Sequence, residues 1–340
     1  EIADGDWSSD VCSSDLLVLG LQGSPRKKGN TNYLLNLVLQ AAADYGAETH
    51  LVQVPQKNIK PCIGCTNCER KGFCSIEDDD MMPEMYPLLR RADLILLATP
   101  IYFYNATAQL KMLIDRSQTL WSRKYKLGLV DPGRPFRKGM MLSVGATKGK
   151  NLFEGMALTA KYFFDAVGAS FDGSLTYRHI ENTGDMKKHD TVADDVRNEI
   201  EKIGLVFRRK KILFACRENA CRSQMAAAFA RYMAGDTLDV DCAGTQPAEA
   251  VNPVMQEVMA EIGYDMAFRI PRGLDAAIEA ATPHIIVTMG CGEQCPHIPG
   301  AERLDWELPD PAGESIEFMR RVRDEIQARV EALVSRIINK

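Results

Sequence analysis

No run in the 340 residues approaches the ~18 consecutive apolar positions that a membrane-spanning helix requires, and no secretory signal pattern is visible. Charge of one sign is not in excess either: 41 Lys and Arg stand against 46 Asp and Glu, so the net charge of -5 leaves no basic footprint for nucleic acid. A disulfide framework of the secreted kind is also missing. Eight of the ten cysteines gather as Cys62, Cys65, Cys68 and Cys74, then Cys216 and Cys221, then Cys291 and Cys295, a clustering that favours redox or metal chemistry in a reducing cytoplasm. Residues 1–15 lack apolar periodicity and repeat Ser-Ser-Asp around Val11 and Cys12, which predicts a disordered or non-native leader that carries no function. What remains is long enough for about two domains.

The sharpest stretch is KILFACRENACRSQM, Lys211 to Met225. Its apolar run from Ile212 reads as a buried strand, and the alanine-rich segment after Gln224 reads as a helix. A loop from strand to helix N-terminus points backbone N–H groups and the positive helix end into one concavity, which suits a tetrahedral oxyanion. Arg222 adds a two-pronged donor, Ser223 stands within reach of the sulfur, and Asn219 suits a left-handed position in the loop. The same field favours thiolate over thiol, which makes Cys216 nucleophilic at neutral pH.

This segment resembles the phosphate loop of the low-molecular-weight protein tyrosine phosphatase superfamily, and Arg-Ser-Gln-Met in place of Arg-Ser-Pro resembles its thioredoxin-coupled arsenate reductase branch. The resemblance implies Cys216 as nucleophile and Asp310, in the Asp-Pro loop, as the acid that protonates the leaving oxygen, with Asp305 a structural rival. Ala312 and Gly313 replace the two tyrosines usual after Asp-Pro in the phosphatases, which argues against tyrosine phosphate. A reductase needs further thiols, and the resemblance assigns them to Cys291 and Cys295, with Cys291 attacking Cys216 and Cys295 resolving the bond. The interval between them is shorter than the family's, so the reductant stays open between thioredoxin, a low-molecular-weight thiol and the chain's own first half.

Before this unit, strands near residues 49–54, 93–99, 140–144 and 169–175 alternate with helical patterns near 81–91, 106–117, 152–167 and 192–203, following a first strand from Leu16 and a helix capped by Asn30 or Thr31. Such alternation predicts a parallel sheet covered on both faces, with the ligand site at the strand C-terminal edge. Three loops there carry suitable groups: Ser24, Arg26, Asn30 and Thr31; then Pro100, Ile101, Tyr102 and Tyr104; then Gly145. Their order and spacing resemble the NAD(P)H-dependent FMN reductase family of flavodoxin-like proteins, which implies that the first set binds the FMN phosphate and the others the isoalloxazine.

Cys62, Cys65, Cys68 and Cys74 are spaced compactly enough for one thiolate-ligated centre, and the pattern looks like that of iron-sulfur flavoproteins, which hold a four-iron cluster. A zinc ion on the same thiolates and four free thiols are the alternatives. The expected architecture is therefore two three-layer α/β/α domains with parallel sheets, residues 16–207 and 208–340, joined by the short basic FRRKK. The expected function is an NAD(P)H-dependent flavin oxidoreductase fused to an arsenate reductase, homodimeric through its first domain by the same resemblance. A phosphatase tethered to an unrelated flavin or quinone reductase, and an arsenite or redox sensor without turnover, are the competing readings.

Overall fold

The computed structural model describes residues 14–203, 209–280, 282–290 and 298–339. Among the described residues nine strands, β1 to β9, span Ser14–Gln22, Ala47–Gln53, Leu94–Pro100, Lys138–Val144, Ser170–Tyr177, Lys210–Cys216, Leu238–Gly244, Ile285–Thr288 and Glu302–Asp305. The α-helices, α1 to α11, are Asn30–Asp44, Asn67–Lys71, Tyr86–Arg91, Ala108–Arg116, Gln118–Tyr125, Glu154–Val167, Val192–Ile203, Arg222–Ala234, Pro253–Glu261, Leu274–Ala280 and Ile316–Ile338. Every strand pair is parallel, in two sheets ordered β2-β1-β3-β4-β5 and β7-β6-β8-β9.

Alternation along the strands explains the layers. On β3, Leu94, Leu96 and Ala98 pack with Leu34, Val38 and Val196 from α1 and α7, while Ile95 and Leu97 pack on the other face with Leu89, Leu113 and Phe164. The second sheet divides likewise, with Ile212, Phe214 and Cys216 toward α8 and α11 and Leu213 and Ala215 toward α10. Both faces being apolar, strands such as β3 and β6 read as continuous hydrophobic runs. In each sheet the order reverses beside the first strand of the unit, between β1 and β3 and between β6 and β8. A crevice opens at the C-terminal edge of such a reversal, so the loops after β1 and β3, and those after β6 and β8, are where ligands are expected.

Three expectations shift. β1 begins at Ser14, two residues inside the segment set apart as a leader; residues 1–13, with Cys12, lie outside the described residues. The single helix expected over 81–91 is divided into a π-helical turn, Met81–Met85, and α3, with Met85 N donating to Asp80 O (3.1 Å). Pro83 and Pro87 supply no N–H to an α-helical ladder, which widens the turn there. The helix after β1 starts at Asn30 itself, capped by Gly29 without a side-chain hydrogen bond.

The two sheets meet through polar contacts. Val130 N donates to Gly263 O (2.7 Å) and Asp265 N to Val130 O (2.8 Å). Around that short pairing Arg90 bridges Asp131 (3.0 Å) and Asp265, Arg123 Nε reaches both Asp265 oxygens (2.9 and 3.0 Å), and Arg231 reaches Asp93 (3.0 Å). Among the described residues no helix is long and apolar enough to cross a membrane.

Candidate functional site

β6 delivers Cys216, 2% exposed, to the sheet edge, and the next residues turn into α8 at Arg222. Asn219 takes the left-handed conformation expected of it, φ 51°, so that its N–H points back at Cys216 Sγ (3.2 Å). Its side-chain amide donates to Ser223 Oγ (2.8 Å), which lies 3.0 Å from the same sulfur. Gln224, which sequence reasoning missed, fixes Asn219 by donating to its carbonyl and side-chain oxygens, both at 3.1 Å. Arg272 N donates to the side-chain oxygen as well (2.9 Å). No side chain caps α8, so the loop N–H groups and the helix end are left for an anion.

Arg222 is 6% exposed and carries the second half of the site. It meets Leu308 O (3.4 Å) and Asp310 (3.2 Å), which brings the Asp-Pro loop over the Cys216 loop. Asp310 remains largely exposed and its other oxygen accepts from Ala312 N (3.1 Å). Asp305 sits apart at the end of β9, held by Thr288 and Arg303, as a structural carboxylate would be. Cys291 and Cys295 lie outside the described residues, but Gly290 immediately before them passes against Arg222: a Cβ there would stand 2.8 Å from its Nη1. Burial pushes the Cys221 thiol up to about 12, with the neighbouring Cys216 adding to the shift, and pushes Cys242 up to about 11. Both therefore stay protonated at neutral pH. His284 is structural, its Nδ1 accepting from Lys211 N (3.0 Å).

The four clustered cysteines form a second constellation. Left-handed Gly64 (φ 66°) and Thr66 (φ 59°) turn the chain between Cys62, Cys65 and Cys68, and all four thiols line one concavity of about 460 Å³. The Ser75 hydroxyl, 3.0 Å from Cys65 Sγ, lowers that thiol's pKa. Beneath them Arg116, fully buried, donates to Lys60 O (2.9 Å), Ile76 O (3.1 Å) and Asp79, and so ties the two flanks of the loop together. Among the described residues no group of three or more Cys, His, Asp or Glu is placed to hold a single metal ion. Four thiols around one cavity are the donor set that a thiolate-ligated centre requires.

At the first sheet's reversal point, Ser24 is buried and accepts from Arg26 N (3.2 Å), Thr31 lies in the first turn of α1, and Arg26 is exposed. With no side-chain cap on α1, its first N–H groups can receive a phosphate. Asn30 departs from expectation: its amide donates to Asn182 O (2.7 Å) and accepts from Gly184 N (3.0 Å) and Met186 N (3.3 Å), because the link from β5 to α7 folds over this helix end. The loop after β3 continues Pro100 and Ile101 into Tyr102 and Tyr104, both half exposed, and the fully exposed Phe103. Phe103 (φ 48°) and Tyr104 (φ 64°) are left-handed, a strained backbone of the kind that gathers at ligand sites. At Gly145 packing also requires glycine, since a Cβ there would lie 2.6 Å from Leu152 Cδ2.

Residues 16–162 match the family NADPH-dependent FMN reductase, and residues 211–340 match the low molecular weight phosphotyrosine protein phosphatase family. The first half is 45% identical over 103 residues to an iron-sulfur flavoprotein of Methanocaldococcus jannaschii, covering 30% of this chain and 52% of that protein. The chain thus spans about half the length of that relative. The second half is 35% identical over 135 residues to arsenate reductase 1 of Staphylococcus epidermidis, covering 38% of this chain and 100% of that protein. It is also 32% identical over 130 residues to the glutaredoxin arsenate reductase of Synechocystis, covering 38% of this chain and 98% of that protein. The chain therefore joins a flavodoxin-like domain that matches the FMN reductase family to a C-terminal domain that belongs to the low molecular weight phosphotyrosine protein phosphatase family, among the arsenate reductases.

Proposed function

We propose that this protein is an NAD(P)H-dependent flavin oxidoreductase that reduces arsenate to arsenite. The observation that carries the proposal is the convergence on Arg222 of three separate segments: the Cys216 loop, Asp310, and Gly290 one residue before Cys291. An oxyanion held by the loop N–H groups and Arg222 presents its central atom to the Cys216 sulfur. Attack forms a sulfur–arsenic bond and expels one oxygen, which leaves as water once Asp310 has protonated it. Cys291 then attacks the Cys216 sulfur, so that the sulfur–arsenic electron pair departs with arsenic as arsenite and a Cys216–Cys291 disulfide remains. Attack by Cys295 on Cys291 releases the Cys216 thiolate and leaves Cys291 and Cys295 oxidised. Returning that disulfide to the dithiol takes two electrons and two protons per turnover.

Ser24, Arg26, Thr31 and the first turn of α1 would hold the FMN phosphate, and Pro100, Ile101, Tyr102, Tyr104 and Gly145 would border its ring, with Asn30 only bracing the phosphate loop. Cys62, Cys65, Cys68 and Cys74 would hold an iron-sulfur cluster. Bound there, FMN would supply hydride acceptance from a nicotinamide and single-electron transfer, and a cluster on the four thiols would supply a one-electron relay. The Cys216→Ser protein should bind flavin normally and form no arsenite, and Arg222→Lys should be nearly as inactive because an ammonium loses the two-pronged geometry. Arsenite formation by Cys216→Ser at the wild-type rate would remove the assignment.

A further inference from the structure

The segment from Asp265 to Arg272 touches both constellations. On one side it is gripped by the first domain. Asp265, 3% exposed, is held by Arg90 and Arg123, and Arg123 also donates to Gly72 O (3.0 Å), within the four-cysteine loop. Phe268 inserts its ring between Tyr86 (centroids 4.6 Å apart) and Phe73 (5.6 Å, edge to face), and Phe73 directly precedes Cys74. The Arg123 guanidinium lies over the Phe73 ring at 4.9 Å. On the other side the same segment reaches the oxyanion loop. Arg269 donates to Gln224 (3.4 Å) and Arg272 N to Asn219 Oδ1 (2.9 Å), and Asn219 is the residue that orients Ser223 and points an N–H at Cys216.

Phe268 sits at φ 63°, a backbone state that a residue with a bulky side chain adopts only when its surroundings impose it. The surroundings here belong to the other domain. With the ring released, the backbone at Phe268 would relax toward negative φ and draw Arg269 and Arg272 away from Gln224 and Asn219. We propose that Phe268 is a positioning residue through which the four-cysteine loop of the first domain sets the geometry of the oxyanion loop in the second. This rests on the reading of the Cys216 loop as an oxyanion site, and it requires neither a metal nor electron transfer. A consequence is that disturbing the four-cysteine loop weakens oxyanion binding in the other half of the chain, a coupling carried by contiguous packed contacts.

Titration calorimetry of the full chain with inorganic phosphate tests it. Phe73→Ala, which touches no oxyanion-loop residue, should raise the phosphate Kd about fivefold or more, the lower range of ordinary coupling between sites. Flavin binding should be retained, as a check that the fold is intact. Phe268→Ala should do the same, and the double variant should bind no worse than the weaker single, because both changes remove one contact. Where Phe73→Ala does not fold, Phe73→Leu and Phe268→Leu keep the bulk but lose the ring geometry and should shift Kd in the same direction. Unchanged phosphate affinity in folded Phe73 variants, or strictly additive losses, would overturn the coupling alone. A wild-type chain that binds no phosphate would overturn the oxyanion site and the coupling together.

Discussion

The second domain separates its thiols by environment. Cys216 has the Asn219 N–H, the Ser223 hydroxyl and the helix end around it, whereas burial holds Cys221 and Cys242 protonated, at about 12 and about 11. Iodoacetamide at about pH 8 should therefore label Cys216, phosphate should protect it, and Cys221 and Cys242 should stay unlabelled in the folded protein. Peptide mass spectrometry that found Cys221 modified ahead of Cys216 would contradict this. Cys216, Asn219, Arg222 and Ser223 were legible in the sequence because their chemistry is local, within eight consecutive residues. Asp310 needed the resemblance. Gln224, Arg116 and Phe268 were not legible: Arg116 meets Asp79 and Lys60 across 37 and 56 positions, and nothing in a linear pattern marks a buried arginine or a left-handed phenylalanine.

At the scale of elements, strand and helix alternation was readable because each β strand is a short apolar run between polar loops, yet sheet order was not, since any parallel pairing satisfies the same run. The short helices α2 and α5 were missed because they have too few turns to show periodicity. They matter all the same. α2 carries Cys68, and Ser122 of α5 donates to its sulfur (3.5 Å), so the four-cysteine loop rests on α5 as well as on Arg116. Replacing Arg116 with Met strands the buried Asp79 carboxylate and frees the loop carbonyls, at a cost of about 3–5 kcal/mol. Urea unfolding should report a loss of that size, and protein reconstituted with iron and sulfide should retain far less iron than wild type. Wild-type stability in that variant would show that Arg116 does not clamp the loop.

The whole molecule differs from two enzymes on a string. A short basic linker predicted proximity, but the charged interface was invisible beforehand, because arginines and aspartates in a sequence read as solvated surface. Asp131 shows how much that interface depends on charge. Burial alone would raise its carboxyl, but the guanidiniums of Arg137 and Arg90 outweigh burial and hold it well below the usual carboxylate range. The unfolded chain, with an ordinary aspartate near 3.9, takes up the proton first as pH falls. The stabilisation is thus complete above about pH 4 and is lost progressively below it, as pH drops toward the folded value. Melting temperatures measured between about pH 6 and pH 2.5 should fall on the acid side, and Asp131→Asn should start lower and decline less steeply. A parallel decline would assign the acid limb to other carboxylates.

The joined architecture makes its strongest demand on the source of electrons. Under the proposed function, docked domains would raise the local concentration of reductant to the millimolar range expected of short tethers, so that no external carrier would be needed to reset Cys291 and Cys295. The direct test is arsenite formation by purified protein supplied with FMN and a nicotinamide cofactor, without thioredoxin, glutaredoxin or small thiol. Repeated turnover is predicted, with Cys295→Ser stopping after about one arsenate per site while still oxidising the nicotinamide against an artificial acceptor. If the wild-type protein needs an added thiol or thioredoxin for every arsenite it releases, the two domains work separately and the account is wrong.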